Sequence, residues 1–140
     1  MVFNADKVRK VASEMLAALE RLEELSRLSE QEFTADPHMV SSAKYNLIVA
    51  IEGAIALCNH VIAKNGFRTP EDYADTFKVM EERGAFDADF TNALIQMARF
   101  RNRLVHIYWD IDDAELHRII NTKLEVIRRF LRDFGAFAGN

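Results

Sequence analysis

The sequence predicts an all-α protein, an up-and-down bundle of about five helices, and three observations carry that reading. Apolar residues recur at steps of three and four through most of the chain. The 5 glycines and 2 prolines sit where helices would stop or start. No segment alternates apolar and polar residues between turn signals, so no strand is expected. The 140 residues show no internal repeat and no linker, and read as a single domain over 1–140. A chain of this length hides roughly 68% of the surface its unfolded form exposes, enough for one apolar core without staples.

The first helix should run from Asp6 to Leu28, carried by Val8, Val11, Met15, Leu19, Leu22, Leu25 and Leu28. The polar stretch Ser29–Asp36 follows, and Pro37 limits what precedes it. A second helix is expected from about His38 to Asn65, with Gly66 as its left-handed stop. Its apolar set Ile48, Ile51, Ile55, Cys58 and Ile62 is widened by Leu47, Ala54 and Val61, a stripe suited to a central helix with several neighbours. Thr69-Pro70-Glu71-Asp72 reads as a helix start, with Thr69 as cap and Pro70 in the first turn, and that short helix ends near Gly84. Asp87 can cap a fourth helix to about Tyr108, and Asp112 or Asp113 a fifth that ends before Gly135.

Composition excludes several classes. An apolar fraction of 49% and a charged fraction of 29% are ordinary for a globular domain and rule out wholesale disorder. The lone cysteine, Cys58, excludes an internal disulfide and a multi-thiolate zinc site, and reads as core. No apolar run reaches a membrane span's length and no leader opens the chain, so a cytoplasmic protein without membrane attachment is expected. The net charge of −4 hides an asymmetry: residues 1–98 carry −6, and residues 99–140 carry +2. The basic groups of the second part cluster at Arg99, Arg101 and Arg103, where a local positive field can serve a phosphate, and at Arg128, Arg129 and Arg132, which read as a solvated face.

The chemistry-bearing stretch is 97–110. Phe90, Leu94 and Met97 step along the fourth helix, and the next step lands on Arg101, where the pattern asks for an apolar residue. A buried unpaired guanidinium costs several kcal/mol, so Arg101 needs a partner, a wet cleft or an interface. Tyr108 falls about 20° from Arg101 on a straight helix, whereas His106 falls about 140° away. Arg101 and His106 therefore converge only if the helix end bends or a second chain completes the site. An arginine that clamps phosphate and a histidine with an ordinary pKa near 6.5 suit RNA cleavage without a metal. The alternative is a capping histidine and an arginine paired with Asp110 or Asp112. Glu52 and Asn59 share a line on the second helix, and Glu52 could pair with Arg101 or form an exposed polar edge. His60 reads as surface capping, and His38 and His117 lack ligand-like company, so neither a metal site nor a cofactor is expected. Trp109 and Phe100 could stack on bases, but read rather as core or dimer contacts.

Arg101-Asn102-Arg103-Leu104-Val105-His106-Ile107-Tyr108 resembles the R-x4-H-x-Y signature of HEPN-domain proteins, specifically the HepT-like branch. The segments Ala50–Ile55 and Cys58–Ile62 resemble that branch's second helix, Thr69–Phe77 its P-x-x-Y-x-x-x-F segment, and Met97–Phe100 its lead into the motif. The likeness extends from about Val8 to Phe130.

The resemblance implies a HEPN-like bundle that dimerises with its motif helices near the dimer cleft. It implies a ribonuclease toxin of a type VII-like toxin–antitoxin pair, with Arg101 and His106 as the catalytic pair, Asn102 in support and Tyr108 completing the motif. The implied partner, besides RNA, is an MntA-like nucleotidyltransferase antitoxin that transfers AMP from ATP onto Tyr108. A phosphodiester there would add bulk and negative charge beside Arg101. A different class of function uses the same fold: a non-catalytic subunit that docks on a minimal nucleotidyltransferase and presents a nucleotide or substrate. The dimer, homodimeric or a larger even oligomer, is expected through the fourth helix.

Overall fold

The computed structural model describes residues 1–139, and of Tyr108 the backbone alone. Among the described residues there is no strand. Seven α-helices follow in order: α1 (Ala5–Ser26), α2 (Glu30–Thr34), α3 (Pro37–Lys64), α4 (Tyr73–Glu82), α5 (Ala88–His106), α6 (Asp113–Thr122) and α7 (Leu124–Gly139). A single 3-10 turn, Tyr108–Asp110, lies between α5 and α6.

The expected five helices become seven for two local reasons. Ser29, expected to open a polar connection, accepts from the Glu32 N–H at 3.1 Å while Glu32 accepts from the Ser29 N–H at 3.1 Å. That capping box closes one helical turn and drives Phe33 into the core with no exposed surface. The fifth expected helix divides at Lys123, and its second part continues past Gly135 to Gly139. The start of α4 also moves. Asp72, not Thr69, is its cap, its carboxylate accepting from the Asp75 N–H at 2.7 Å. Residues 69–71 stay outside the helix because Asp75 turns back to accept from the Glu71 N–H. Asp87 caps α5 as expected, Asp112 rather than Asp113 caps α6, and Gly66 and Gly84 adopt positive φ of 66° and 87° where α3 and α4 stop.

Helix α3 is the axle of the fold and packs against all six other helices. It buries most of its circumference, from Val40 and Ala43 through Leu57, Val61 and Ile62, with Cys58 fully enclosed, and leaves one stripe along Ser41, Tyr45, Glu52, Ala56 and Ala63 exposed. Burial pushes the Cys58 thiol far above its ordinary range, so it stays protonated. By length and composition α3 could cross a membrane, but 61% of its most apolar window is buried inside the fold, as befits a core helix. The most extensive pairing is α1 with α3. Gly53, mid-helix and not at a stop, permits that approach: a Cβ there would overlap Met15 Cγ and lie 2.9 Å from its Sδ. Met15 has no exposed surface into which it could retreat. At the other end of α3, Asn65 exchanges hydrogen bonds with both backbone groups of Val2, and His60 Nε2 accepts from the Asn4 N–H at 2.9 Å.

The arginines of α7 do more than face solvent. Arg128 reaches Glu23 of α1 at 2.7 Å, and Arg129 reaches Asp87 at 2.6 Å while lying 4.2 Å over the Phe90 ring. Before α4, Arg68 grips Asp75 with two bonds of 2.7 and 2.9 Å and also holds Glu82. Those bonds hold the Asp75 carboxyl well below the usual carboxylate range.

Two outcomes follow. Gly53→Val should lower stability by about 1–3 kcal/mol in urea unfolding through overpacking against Met15. Because the folded-state pKa of Asp75 is depressed, its contribution is complete above the unfolded value of about 3.9 and is lost as pH falls below it. Thermal melts of wild type and Asp75→Asn should therefore differ at neutral pH and converge in strong acid.

Candidate active site

The C-terminal half of α5 carries the site. Phe90, Leu94, Met97 and Leu104 are buried along its core face, and Arg101 occupies the same stripe with its side chain 13% exposed. The partner that this position demands is Glu52 of α3. Arg101 Nε and Nη2 both donate to Glu52 Oε1, at 3.0 and 2.6 Å. Arg101 Nη1 donates to Asn102 Oδ1 at 3.1 Å. The guanidinium carbon lies 5.1 Å from the centre of the Tyr73 ring, at the start of α4. Arg101 is thus fixed from three directions, by a carboxylate, an amide oxygen and an aromatic face. Of its five N–H donors, three are engaged, and two remain without a described partner.

The alternative pairing of Arg101 with Asp110 or Asp112 does not occur. Arg103 takes that role: it donates to Glu115 Oε1 at 2.7 Å and reaches Asp110 at 3.5 Å. The Arg103 contacts lower the Glu115 carboxyl pKa and tie the end of α5 to α6. Asn59, on the Glu52 line, turns away and accepts from the Thr76 hydroxyl at 3.0 Å. His117 contacts the Leu28 carbonyl at 2.8 Å and packs against Phe33.

His106 is exposed and its imidazole makes no hydrogen bond to a described residue. Helix α5 stays regular from Arg101 through His106, so the five intervening steps leave the two side chains about 140° apart around the axis. The helix end does not bend to bring them together. It stops at His106, two residues before the expected end, with Ile107 as C-cap. Val105, Ile107, Tyr108 and Trp109 are weak helix formers, and Ile111 is drawn into the core just beyond them. Tyr108 therefore opens the 3-10 turn and does not continue the Arg101 line on α5; its side chain lies outside the described residues. Trp109 is not core. It is 82% exposed, beside the exposed Val105 and Ile107. Phe100 is buried. Among the described residues no three His, Cys, Asp or Glu side chains converge on a common point.

The sequence model of the family described as "HepT-like: Ribonuclease HepT-like" matches residues 15–134, which include every residue of this site. The chain belongs to the HepT-like ribonuclease family. A protein of Archaeoglobus fulgidus described as a candidate RNase is 28% identical over 113 residues, covering 81% of this chain and 80% of that one. Among solved structures, the tri-AMPylated HEPN toxin of Shewanella oneidensis, in complex with MNT antitoxin, superimposes with a TM-score of 0.84 at 19% identity. The match covers 92% of this chain and 96% of the toxin. The cytosolic protein YutE of Bacillus subtilis also gives a TM-score of 0.84, at 18% identity, over 96% of this chain and 90% of its own. At these identities the superpositions establish that the HepT-like chain has the HEPN fold.

Tyr73 is the site residue that sequence reasoning missed. It stands 28 positions before Arg101 in a helix-start segment, and no periodicity links an aromatic at one helix start to a cation on another helix.

Glu52→Ala should cost about 1–2 kcal/mol in urea unfolding, a charged hydrogen-bond pair discounted for the half-exposed carboxylate. Glu52→Gln, which keeps an oxygen acceptor, should cost less than half of that.

Proposed function

We propose that the chain is a metal-independent endoribonuclease toxin in which Arg101 binds the scissile phosphate and His106 moves the proton. The observation that supports this most directly is a motif arginine held rigid by Glu52, Asn102 and Tyr73 while two of its N–H donors stay free to meet phosphate oxygens. His106, exposed at the helix end, takes the 2′-hydroxyl proton. The 2′-oxygen then forms its bond to phosphorus, the bond to the 5′-oxygen breaks, and the leaving oxygen takes a proton from an imidazolium. The products are a 2′,3′-cyclic phosphate and a 5′-hydroxyl. Asn102 and Glu52 act as positioning residues through Arg101.

The 140° separation of Arg101 and His106 supports a homodimer or larger even oligomer, in which one copy's arginine works with the other's histidine. The exposed Val105, Ile107 and Trp109 at the end of α5 supply apolar surface for that contact. The partner in this reading is a nucleotidyltransferase antitoxin, which the complex of the Shewanella oneidensis HEPN toxin with MNT antitoxin supports. The phenolic oxygen of Tyr108 attacks the α-phosphorus of ATP, pyrophosphate leaves and the phenolic proton passes to solvent. The resulting phosphodiester brings negative charge to the strand's path and repels RNA. A membrane has no part in this reading, and neither does a cofactor.

Expression without a nucleotidyltransferase should arrest growth for the wild type and not for His106→Ala. Purified wild type should cleave single-stranded RNA in EDTA, and His106→Ala should be slower by about 10²–10⁴-fold. Cleavage abolished by EDTA and rescued by magnesium, or a monomeric mass by light scattering at micromolar concentration, would contradict the assignment. A wild type that binds the nucleotidyltransferase and never cleaves would instead identify a non-catalytic subunit. Tyr108→Phe should keep its cleavage when partner and ATP are added, whereas the wild type should gain the mass of AMP and fall silent.

A further inference from the structure

On the side of α5 facing away from Glu52, a groove of about 260 Å³ opens between α5, α6 and α7. Its floor is apolar, built from Met97, Phe100, Ile119 and Val126, and its rim is cationic, with Arg99, Arg103 and Lys123. The acid at the rim, Glu115, is already taken by Arg103 at 2.7 Å. Arg99 and Lys123 are exposed and make no ion pair with a described residue. Two unneutralised cations thus stand over one apolar hollow.

The register of α5 connects this groove to the histidine. Seven residues separate Arg99 from His106, which puts them about 20° apart around the axis and about 10.5 Å apart along it. Arg101 lies about 160° from Arg99, on the other side of the helix. A strand positioned with a phosphate at His106 can therefore continue along the same side of α5 to Arg99 and the groove, without crossing the helix. A positively charged track beside an apolar and aromatic recess is the arrangement that holds single-stranded nucleic acid without reading its sequence. The hollow is smaller than the roughly 300–1,000 Å³ of a pocket for a drug-sized ligand, so it suits one ring system. It does not provide the roughly 800 Å² per partner of a stable protein interface.

We propose that this groove is a second RNA subsite, which seats one base of the substrate strand on its apolar floor while Arg99 and Lys123 hold the flanking phosphates. The proposal rests on the ribonuclease reading above and adds where the strand runs away from the reacting phosphate. The test uses the full chain carrying His106→Ala, so that a fluorescein-labelled single-stranded RNA is bound and not cut, titrated at several salt concentrations. Adding Arg99→Ala or Lys123→Ala should weaken binding and reduce the slope of log affinity against log salt by about 0.7 each. Arg132→Ala, a charge removed from outside the groove, should leave the slope unchanged. Ala93→Phe, which fills the groove beside Phe100, should weaken binding roughly tenfold or more through lost stacking. The subsite is overturned if the Arg99 and Lys123 variants bind RNA with unchanged affinity and slope. It is also overturned if they bind RNA normally but lose the nucleotidyltransferase, which would make the groove a protein-docking surface. Both results leave wild-type cleavage intact and so spare the ribonuclease reading. An unmutated chain that neither binds nor cleaves RNA removes the reading and the subsite together.

Discussion

The central position of α3 governs the rest of the molecule. A helix touched by six others buries most of its circumference, and the polar side chains close to its packed faces find partners. Asn46 returns to Ser42 and Arg21, Asn59 meets Thr76, and Glu52 meets Arg101. The Glu52 contact is the one at which the packing problem and the candidate chemistry coincide. An arginine in the apolar stripe of α5 is tolerable because α3 offers a carboxylate at that level, and the same carboxylate fixes the direction of the guanidinium. Gly53, the next residue and about 100° further around the axis, lets α1 close against α3 beside the pair.

Much of this was legible in the sequence, for reasons that can be stated residue by residue. Helix periodicity identified α1, α3 and α5, and acid caps at Asp87 and Asp112 placed the starts of α5 and α6. The misfit of Arg101 in its stripe required a partner, and Glu52 was the one carboxylate on the central helix. What stayed hidden depends on contacts between segments distant in sequence or on short competing turns. The capping box at Ser29 outweighed a polar composition that reads as a loop. The Arg68–Asp75 grip fixed which residue caps α4. The early end of α5 reflects the burial of Ile111 beyond a run of weak helix formers, a pull that periodicity within α5 cannot register.

The two sides of α5 differ electrostatically, and the difference follows from their neighbours. On the α3 side the arginine is compensated by Glu52 and partly screened from water, so its direction is well defined and its net field is small. On the α6 side Arg103 is compensated in the same manner, but Arg99 and Lys123 are not. A phosphate approaching from solvent meets the uncompensated charges first and the oriented guanidinium only on closer contact. Attraction at range and orientation at contact are thereby assigned to different residues of one short helix.

The central position of α3 also sets how the molecule breathes. A helix packed against six others cannot open without releasing most of them, so its buried amides exchange with solvent far more slowly than those of a free helix end. Helix α5 ends in water, with His106 exposed at its last position and Ile107 and Trp109 exposed just beyond it, and such ends fray at far lower cost. Glu52 thus stands on the well-packed helix and His106 at an open end, although a single helix carries both Arg101 and His106. Arg101 inherits the rigidity of the core through Glu52, while His106 keeps the freedom of a helix terminus to adjust.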